Sequence, residues 1–447
     1  MKNVLVLGAG YSAPYLISYL LKQAEEHNWF VTVCDKNYEL ARKSVNGFPR
    51  GNAVEFDVND AVMRQTLIKH ADVVVNFLAP VFQYLIALEC LRYGKHVISA
   101  SYEDPRVTDL HKDAVRKGIL ILNEMGLDPG IDHMAAMQLI HRIRSKNGHI
   151  KSFISYGSGL PAPEVNSNPL KYCITWNPRN VVMAGEAGAQ YLEDGRIKIL
   201  PYHEVFRRTW EVDVDGVGIL EAYPNRDSLI YQKQFKLQKV ETMIRGTLRY
   251  PGWSETWNEI IRLGIPNETL ILPETENKTY AEFTEMFLPL NAAGPKLEAR
   301  IANFLNISPT GKIMENLKWL GLFSDEKIGK NYRTAAEVLI DLVVRKMPLP
   351  KGARDMVILI HEVVAEYPEE NKTEKTVLTL TDYGEPDRYT AIAKTVGAPA
   401  GIATKLLLND ELPLSGCQIP THPMVYTKVL DELAELGIAF KERKEVM

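Results

Sequence analysis

Two glycines and an alanine near the amino terminus have the spacing of a phosphate-binding turn. Gly8, Gly10 and Ala13 form the pattern G-x-G-x-x-A, directly after the apolar run VLVL and directly before a helical pattern. In such a turn the first glycine permits a tight bend, the second lets a pyrophosphate approach the backbone, and the small third residue allows close helix packing. We therefore predict that a dinucleotide contacts Gly8, Ala9, Gly10, Tyr11, Ser12 and Ala13.

An acidic residue downstream of the turn supports this prediction. The run FVTVCDKN has the pattern of a second strand and carries Asp35 at its carboxyl end, 22 residues after Ala13. A carboxylate at that place accepts hydrogen bonds from a ribose diol and repels a 2′-phosphate. The sequence thus predicts NAD as the cofactor, and NADP stays possible because the neighbouring Lys36 is able to contact a phosphate.

The elements around these residues predict a parallel sheet. After Asp35, four further strand patterns alternate with helical patterns up to GILILNEMG, which gives six strand candidates in all. Strands that alternate with helices indicate a Rossmann-type, doubly wound α/β domain, in which ligands bind beyond the carboxyl ends of the strands. This prediction places Asp57, Leu78, Ala79 and Ser101 beside the cofactor.

The pattern changes after the sixth strand candidate, and we predict a second, α+β domain. The dinucleotide-binding domain is predicted to span residues 1–125. The second domain, for substrate binding and dimerisation, is predicted to consist of residues 126–255 and 347–387, with a mostly helical insertion at 256–346. The carboxyl-terminal segment 388–447, which contains a helical run of small residues, is expected to pack back on the first domain.

Composition limits the class of protein. The 447 residues carry a net charge of −4, with a pI near 6.3, so there is no basic stripe for nucleic acid and no polybasic arm for a membrane. The four cysteines are scattered without a C-x-x-C pair and predict neither a zinc site nor a disulfide framework. The first strand begins close to Met1, and we find no apolar run of about 18 residues. We therefore expect a cytoplasmic protein that holds no metal and binds neither nucleic acid nor membranes.

Several longer motifs carry a resemblance to a known family. They are SASYEDP (residues 99–105), MGLDPGIDHMAAM (125–137), GLPAPEVNSNPLKY (159–172), EAYPNRDS (221–228) and RGTLRYPGW (245–253), followed near the carboxyl terminus by AKTVGAPAGIATKLLL. In this order, and spread over nearly the whole chain, they resemble the glutamate-forming saccharopine dehydrogenases, also called saccharopine reductases.

The resemblance implies a reaction and its contacts. The reaction interconverts saccharopine with L-glutamate and 2-aminoadipate 6-semialdehyde through a nicotinamide cofactor, in a homodimeric enzyme of lysine metabolism. The implied cofactor contacts are the glycine turn, Asp35, Leu78, Ala100 and Ser101. The implied substrate contacts are Ser101, Tyr102, Leu127, Asp128, Pro129, Trp176, Arg226, Thr247, Leu248 and Arg249. Fungal biosynthetic members that resemble this chain usually have arginine at the position of Asp35 and use NADP, whereas Asp35 looks like the residue of the NAD-using, lysine-degrading members.

The residue types suit this chemistry. Saccharopine has three carboxylates, and Arg226 and Arg249 are suited to them because a guanidinium donates two parallel hydrogen bonds to a carboxylate. Asp128 is our candidate for holding or exchanging the proton of the substrate amine, with a solvent water as the alternative.

Each of these residues also has a purely structural interpretation. Asp128 is placed to cap a helix that has Pro129 in its first turn. Arg226 is able to pair with Asp227 in a turn, and Trp176 is able to serve as a core aromatic. His133 is interpreted as a packed or exposed histidine rather than a metal ligand, because no third ligand has suitable spacing.

Two other functions remain open at this point. One is a related imine reductase, such as a carboxynorspermidine dehydrogenase, which would share the dinucleotide-binding half but need fewer cations for substrate carboxylates. The other is a non-catalytic NAD-binding homologue that has kept the fold and lost turnover.

Overall fold

The computed structural model of this chain describes residues 1–165 and 167–447. Its internal contacts divide it into two units. The first unit comprises Met1–His149 and Ala365–Met447, and the second unit comprises Ile150–Val364. Asn166, inside the GLPAPEVNSNPLKY motif, lies outside the described residues.

The amino-terminal part alternates strands with helices. Its elements are β1 (Lys2–Leu7), α1 (Pro14–His27), β2 (Trp29–Asp35), α2 (Tyr38–Val45), β3 (Gly51–Glu55), α3 (Ala61–His70), β4 (Val73–Asn76), α4 (Gln83–Tyr93), β5 (His96–Ser99), α5 (Pro105–Thr108), α6 (His111–Arg116), β6 (Leu120–Leu122) and α7 (Ile131–Arg144). Strands β4 and β6 are buried at every residue, as expected for a parallel sheet covered by helices on both faces. Helix α4 ends where Gly94 adopts a left-handed φ of 66°, as its glycine predicts.

The middle of the chain mixes strands with a run of helices. Its elements are β7 (His149–Pro161), α8 (Pro178–Val182), β8 (Ala189–Glu193), β9 (Arg196–Leu200), α9 (Tyr202–Val205), β10 (Trp210–Val214), β11 (Gly218–Pro224), β12 (Arg226–Asp227), α10 (Ile230–Gln234), β13 (Thr242–Arg249), α11 (Trp253–Leu263), α12 (Tyr280–Glu285), α13 (Leu297–Leu305), α14 (Lys312–Leu320), α15 (Ala335–Lys346) and β14 (Asp355–Tyr367).

The carboxyl-terminal part returns to the first unit. Its elements are β15 (Lys372–Tyr383), α16 (Ala391–Leu408), β16 (Gly416–Gln418), α17 (Pro423–Glu435) and β17 (Lys441–Val446). Strands β15 and β17 pair antiparallel.

The first unit contains the predicted doubly wound sheet. Its strand order is β16-β6-β5-β4-β1-β2-β3, and every neighbouring pair is parallel. The six amino-terminal strands follow the order expected for a Rossmann-type domain, so the predicted fold class is confirmed. The seventh strand, β16, has only three residues and gives too short a pattern to be found from sequence.

The observed boundaries differ from the predicted ones. Helix α7 was expected in the second domain, but it lies in the first unit, where it packs against α17. His141 on α7 lies with its Nδ1 2.7 Å from the hydroxyl of Tyr426 on α17. The first unit also takes up the chain again at Ala365 rather than at residue 388. Tertiary packing, rather than the change in sequence pattern, therefore sets both boundaries.

Helix α16 corrects the expectation that the chain has no apolar run of about 18 residues. Among the described residues it is the one helix long and apolar enough to cross a membrane, and 83% of that stretch is buried inside the fold. It is a single helix with Pro399 in its interior, and it packs against α1. A Cβ at Gly397 would lie 2.7 Å from the backbone nitrogen of Leu16, so this glycine permits the close approach of the two helices.

The second unit is built on a mixed sheet. Strand β13 pairs parallel with β7 and antiparallel with β11, which in turn pairs antiparallel with β10. Helices α11 to α15 lie in the segment predicted to be mostly helical, and the rest of that segment is loop and turn. Trp253 and Trp257 on α11 are buried, with their rings stacked 4.8 Å apart. This aromatic layer lies next to β13, which carries three of the predicted substrate residues.

Candidate active site

The glycine turn has the geometry that its spacing predicts. The Gly8 nitrogen donates to the Cys34 carbonyl at 2.8 Å, which joins the turn to the end of β2. A Cβ on Gly8 would lie 2.7 Å from the Phe77 oxygen, whereas a Cβ on Gly10 would meet nothing within 4 Å. Helix α1 begins directly after Ala13, whose side chain offers no acceptor to the first N–H groups. The helix end is thus suited to an anion such as a pyrophosphate.

Alanine substitutions separate the roles of the two glycines. Gly8→Ala is expected to lower the melting temperature, because the new methyl would press on Phe77 and the backbone φ is +102°. A left-handed conformation alone costs an L-residue about 1–2 kcal/mol. Gly10→Ala is expected to keep the parent melting temperature and to weaken dinucleotide binding in a fluorescence titration. Equal melting temperatures for the two variants would contradict the steric role of Gly8.

Asp35 is tied directly to the glycine turn. Its Oδ2 accepts a hydrogen bond from the Ala9 nitrogen at 2.7 Å, and its Oδ1 accepts one from the Asn37 nitrogen at 2.8 Å. The side chain is half-buried at the end of β2. Each carboxylate oxygen has further acceptor capacity, so Asp35 is able to hold the turn and accept from a ribose at once.

Lys36 and Asp57 pair beside Asp35. The Lys36 ammonium lies 3.1 Å from Asp57 Oδ2, and both side chains are exposed. The backbone N–H of Asn59, followed by Lys36, holds the pKa of the Asp57 carboxyl below its usual range. Asp57, predicted as a cofactor contact, thus pairs with the lysine that the sequence offered to a 2′-phosphate.

The other predicted cofactor residues follow neighbouring strands. Leu78 comes after β4, and its nitrogen donates to Asn76 Oδ1 at 3.3 Å. Ala100 and Ser101 come after β5, and all three residues are half-buried. Since β2, β1, β4 and β5 lie side by side, the glycine turn, Asp35 and these residues all lie at the carboxyl edge of one sheet.

Tyr102 and Asp128 meet in the first unit. The Tyr102 hydroxyl donates to Asp128 Oδ1 at 3.0 Å. Helix α7 begins at Ile131 with Gly130 as its N-cap, so the interpretation of Asp128 as a cap and of Pro129 as a first-turn residue is wrong. Leu127 is buried and precedes the Asp128–Pro129 peptide. The Asp128 carboxylate thus does not cap α7 and accepts from Tyr102 instead.

Arg249 is a buried cation surrounded by aromatic rings. It is 3% exposed, and its guanidinium carbon lies 4.9 Å from the Tyr172 ring centre and 4.8 Å from that of Trp253. Its Nη1 donates to the Ser158 hydroxyl and to the Leu248 carbonyl, while its Nε has no partner among the described residues. No carboxylate of the described chain lies within ion-pair distance of it. A buried charge without a counter-ion is costly unless a ligand supplies one.

The remaining substrate residues of the second unit have different surroundings. Trp176 is half-buried and donates from Nε1 to the Tyr172 hydroxyl at 3.0 Å, so it is not a core aromatic. Leu248 is fully buried, and its carbonyl accepts from the Ser158 hydroxyl and from Arg249, whereas Thr247 is half-buried. Arg226 is exposed in the left-handed region with φ of 54°. The structure therefore brings Trp176, Tyr172 and Arg249 together in one chain of contacts.

Sequence reasoning missed two groups of polar and aromatic residues. Tyr172, Ser158 and Trp253 hold Arg249, and two of them lie inside motifs that had been singled out, where their position was a usable signal. Glu124 and His133 form a buried pair behind Tyr102 and Asp128. No signal in the sequence indicates that Glu124 is buried, because acidic residues are seldom fully buried.

The doubly wound sheet, the glycine turn and the acid at the end of β2 define the class of this protein, a Rossmann-type oxidoreductase that binds a dinucleotide. Two family models match it in order: Saccharopine dehydrogenase NADP binding domain over residues 4–122, and Saccharopine dehydrogenase C-terminal domain over residues 126–438. The chain belongs to the saccharopine dehydrogenase family, as its motifs indicated.

Individual relatives match this chain over nearly all of its length. The chain is 32% identical to saccharopine dehydrogenase [NADP(+), L-glutamate-forming] of Schizosaccharomyces pombe, with 99% of each chain covered. The solved structure of apo saccharopine dehydrogenase (L-Glu forming) from Saccharomyces cerevisiae covers 100% of both chains at 31% identity, with a TM-score of 0.88. Mitochondrial alpha-aminoadipic semialdehyde synthase of Mus musculus is 29% identical, and the match covers 100% of this chain and 48% of that protein.

Proposed function

We propose that this protein interconverts saccharopine with L-glutamate and 2-aminoadipate 6-semialdehyde in lysine metabolism. The observation that carries the proposal is the buried Arg249 guanidinium, which has no acidic partner in the described chain and lies in a motif of this family. A substrate with three carboxylates supplies the missing anion, because a guanidinium binds a carboxylate through paired, charge-assisted hydrogen bonds. The names of the full-length relatives support the same reaction.

A bound nicotinamide would accept the hydride. The residues of this chain bind and orient the substrate and transfer its proton. Arg249 and the exposed Arg226 bind substrate carboxylates, and Trp176 provides an apolar wall beside the Tyr172 hydroxyl. Asp128, held by Tyr102, takes the proton of the secondary amine as the adjacent carbon is oxidised to an imine. Water then adds to the imine and releases glutamate and the semialdehyde. Each group acts by orientation and proton transfer, while the cofactor carries the oxidation.

We propose NAD as the preferred cofactor. Asp35 presents a carboxylate at the end of β2, where a 2′-phosphate would be repelled, and Lys36 is already paired with Asp57. The family model and the fungal relatives carry NADP in their names, so the preference rests on these residues alone. Lysine degradation, the direction of the NAD-using members, is proposed on the same ground.

Substitution of Asp35 tests this preference. Asp35→Ala is expected to lower kcat/KM for NAD about 10-fold or more, because a charged hydrogen bond contributes about 1.5–3 kcal/mol, and to relax discrimination against NADP. Asp35→Asn is the matched control, since it keeps an acceptor for the Ala9 nitrogen but removes the charge. We expect it to gain activity with NADP and to lower the melting temperature less than Asp35→Ala does, because it loses only one of the two acceptors for Ala9 and Asn37. An unchanged ratio of NAD to NADP activity in both variants would refute the proposed role.

The central experiment is a direct assay of the purified protein. Saccharopine is supplied with NAD and, in parallel, with NADP, absorbance of the reduced cofactor is recorded, and glutamate is detected separately. Turnover with NAD supports both parts of the proposal, and turnover with NADP alone supports the reaction but contradicts the cofactor preference. No turnover with either, in protein that binds dinucleotide, would contradict the reaction.

We also propose a cytoplasmic homodimer with no nucleic-acid or membrane partner. The basis is the family resemblance for the dimer and the charge balance of −4 for the absence of polyanion binding. Sedimentation equilibrium of the purified chain tests the dimer, and a mass of one chain at micromolar concentration would contradict it.

A further inference from the structure

Three buried titratable side chains, those of Glu124, Asp132 and His133, contact one another next to the segments that carry Tyr102 and Asp128. His133 is 1% exposed, and Glu124 and Asp132 are each 3% exposed. The His133 Nδ1 lies 2.7 Å from Asp132 Oδ1, and its Nε2 forms an ion pair with Glu124 Oε2 at 3.2 Å. Removing three ionisable groups from water costs free energy of folding, so packing alone does not account for this cluster.

Glu124 holds the backbone on both sides of Tyr102. Its backbone nitrogen donates to the Ser101 carbonyl at 3.1 Å, and its Oε1 accepts from the Glu103 nitrogen at 3.0 Å. Glu124 itself adopts a left-handed φ of 60°, a conformation that non-glycine residues seldom have and that often marks functional sites. Glu124 thus holds Ser101 and Glu103, the two residues on either side of Tyr102, by hydrogen bonds.

Asp132 holds the backbone on both sides of Asp128 and Pro129 in the same manner. Its backbone nitrogen donates to the Leu127 carbonyl at 3.1 Å, and its Oδ1 accepts from the Gly130 nitrogen at 2.7 Å. Glu124 and Asp132 therefore act alike. Each donates from its backbone N–H and accepts with its carboxylate, and these two hydrogen bonds hold the backbone around Tyr102 or Asp128.

His133 connects the two acidic residues, because its Nδ1 faces Asp132 and its Nε2 faces Glu124. We propose that His133 is a positioning residue for the reaction: by linking Glu124 to Asp132, it holds Tyr102 and Asp128 at hydrogen-bond distance. This inference rests on the proposed function, because it assigns a purpose to the Tyr102–Asp128 pair. His133 does not touch the substrate in this role.

The charges around His133 support the same role. Burial by itself lowers the pKa of His133, but the facing carboxylates of Asp132 and Glu124 outweigh it and raise the pKa to about 10. The protonated ring therefore lies between the side chains of Asp132 and Glu124 as their shared counter-ion. Glu124 also faces Glu103, and burial, together with the Glu124 charge, raises the pKa of Glu103. Since the folded pKa lies above the ordinary value of about 6.5, the protonated ring stabilises the fold fully below about pH 6.5, and this contribution is lost as pH rises through about 10.

A double-mutant cycle tests the proposal on saccharopine oxidation. His133→Gln removes the charge and one of the two links, and Tyr102→Phe removes the hydroxyl that the links position. We expect each single variant to lower kcat about 10- to 100-fold, because small displacements of reacting groups have effects of this size. The double variant is expected to be no slower than the slower single variant, since both changes break the same contact. The dissociation constant of the cofactor is expected to change less than twofold, which separates positioning from general loss of structure.

His141→Gln is the matched control, because His141 lies on the same helix and contacts Tyr426 instead. We expect it to keep the parent kcat. Multiplicative losses in the double variant, or equal losses in His133→Gln and His141→Gln, would overturn the proposal. An inactive parent protein would instead contradict the proposed function.

A second measurement needs no variant. Nitrogen-15 NMR of the ten histidines is expected to find one ring that stays doubly protonated from pH 6 to pH 9. If every ring becomes neutral below pH 8, His133 is not the charged link between the two carboxylates, and the proposal fails even if His133→Gln does not fold.

Discussion

Arg249→Met is expected to raise the KM for saccharopine about 10- to 100-fold while leaving the melting temperature unchanged or higher. The loss of a charged hydrogen-bond partner costs about 1.5–3 kcal/mol of binding. In the free protein, however, methionine replaces a guanidinium that is 3% exposed and has no acidic partner in the described chain. Replacement of a buried ion pair by apolar side chains of similar volume is often neutral or stabilising, and here the lost guanidinium leaves no acidic partner behind.

Arg245→Met is the matched control for this prediction. Arg245 lies on the same strand, is also buried, and has its guanidinium 4.5 Å from the Tyr231 ring, but it lies outside the motif positions assigned to the substrate. We expect Arg245→Met to leave the KM for saccharopine near the parent value. Steady-state kinetics and thermal melting of both variants are the measurements. An Arg249→Met protein with lower stability and an unchanged KM would identify Arg249 as a structural cation instead.

Arg226→Ala complements this result. Arg226 is exposed, so its loss is expected to raise the KM for saccharopine without a change in melting temperature. An unchanged KM in both arginine variants would refute the assignment of the pair to the substrate carboxylates.

Asp128→Asn is expected to lower kcat about 100-fold with little change in the affinity for the dinucleotide. General acid–base catalysis contributes about 10²–10⁴-fold, and asparagine keeps the size of the side chain and an acceptor for the Tyr102 hydroxyl while removing the base. Pre-steady-state formation of the reduced cofactor measures the step directly. If a solvent water takes the proton instead, kcat is expected to stay within about threefold of the parent value.

Asp104→Asn provides the control for a general effect of charge in this region. Asp104 lies in the same motif as Tyr102, where it caps α5 by accepting from the Arg106 nitrogen at 2.9 Å. We expect its kcat to equal that of the parent. Equal losses in Asp104→Asn and Asp128→Asn would show that the loop responds to lost negative charge rather than to the loss of one base.

The glycine turn illustrates what local sequence is able to predict. Gly8, Ala13 and the apolar runs on either side act within a few residues of each other, because the bend, the strand and the helix are each fixed by backbone geometry and short-range pattern. Asp35 is reached through one further helix, and it was predicted correctly as the end of β2. The parallel order of the sheet followed from the alternation of strands and helices.

The interpretation of Asp128 illustrates where local pattern fails. The sequence DPGIDHM permits a capped helix that starts after Asp128, and capping preference alone favours it. The structure starts the helix at Ile131, because Gly130 and Gly126 approach too closely for any Cβ: one on Gly130 would lie 2.0 Å from the Gly126 oxygen. With the helix starting at Ile131, the Asp128 carboxylate accepts a hydrogen bond from Tyr102, 26 residues earlier in the chain.

By itself, the sequence determined the dinucleotide fold, the family and the residue types that face a substrate with several carboxylates. Only the tertiary structure decided that Arg249 is buried among the rings of Tyr172 and Trp253, and that His133 joins Glu124 to Asp132. The physical reason is that burial and charge pairing depend on residues far apart in the chain. A periodic pattern specifies which face of an element is apolar, but not which cation is left without a counter-ion or which histidine lies between two carboxylates.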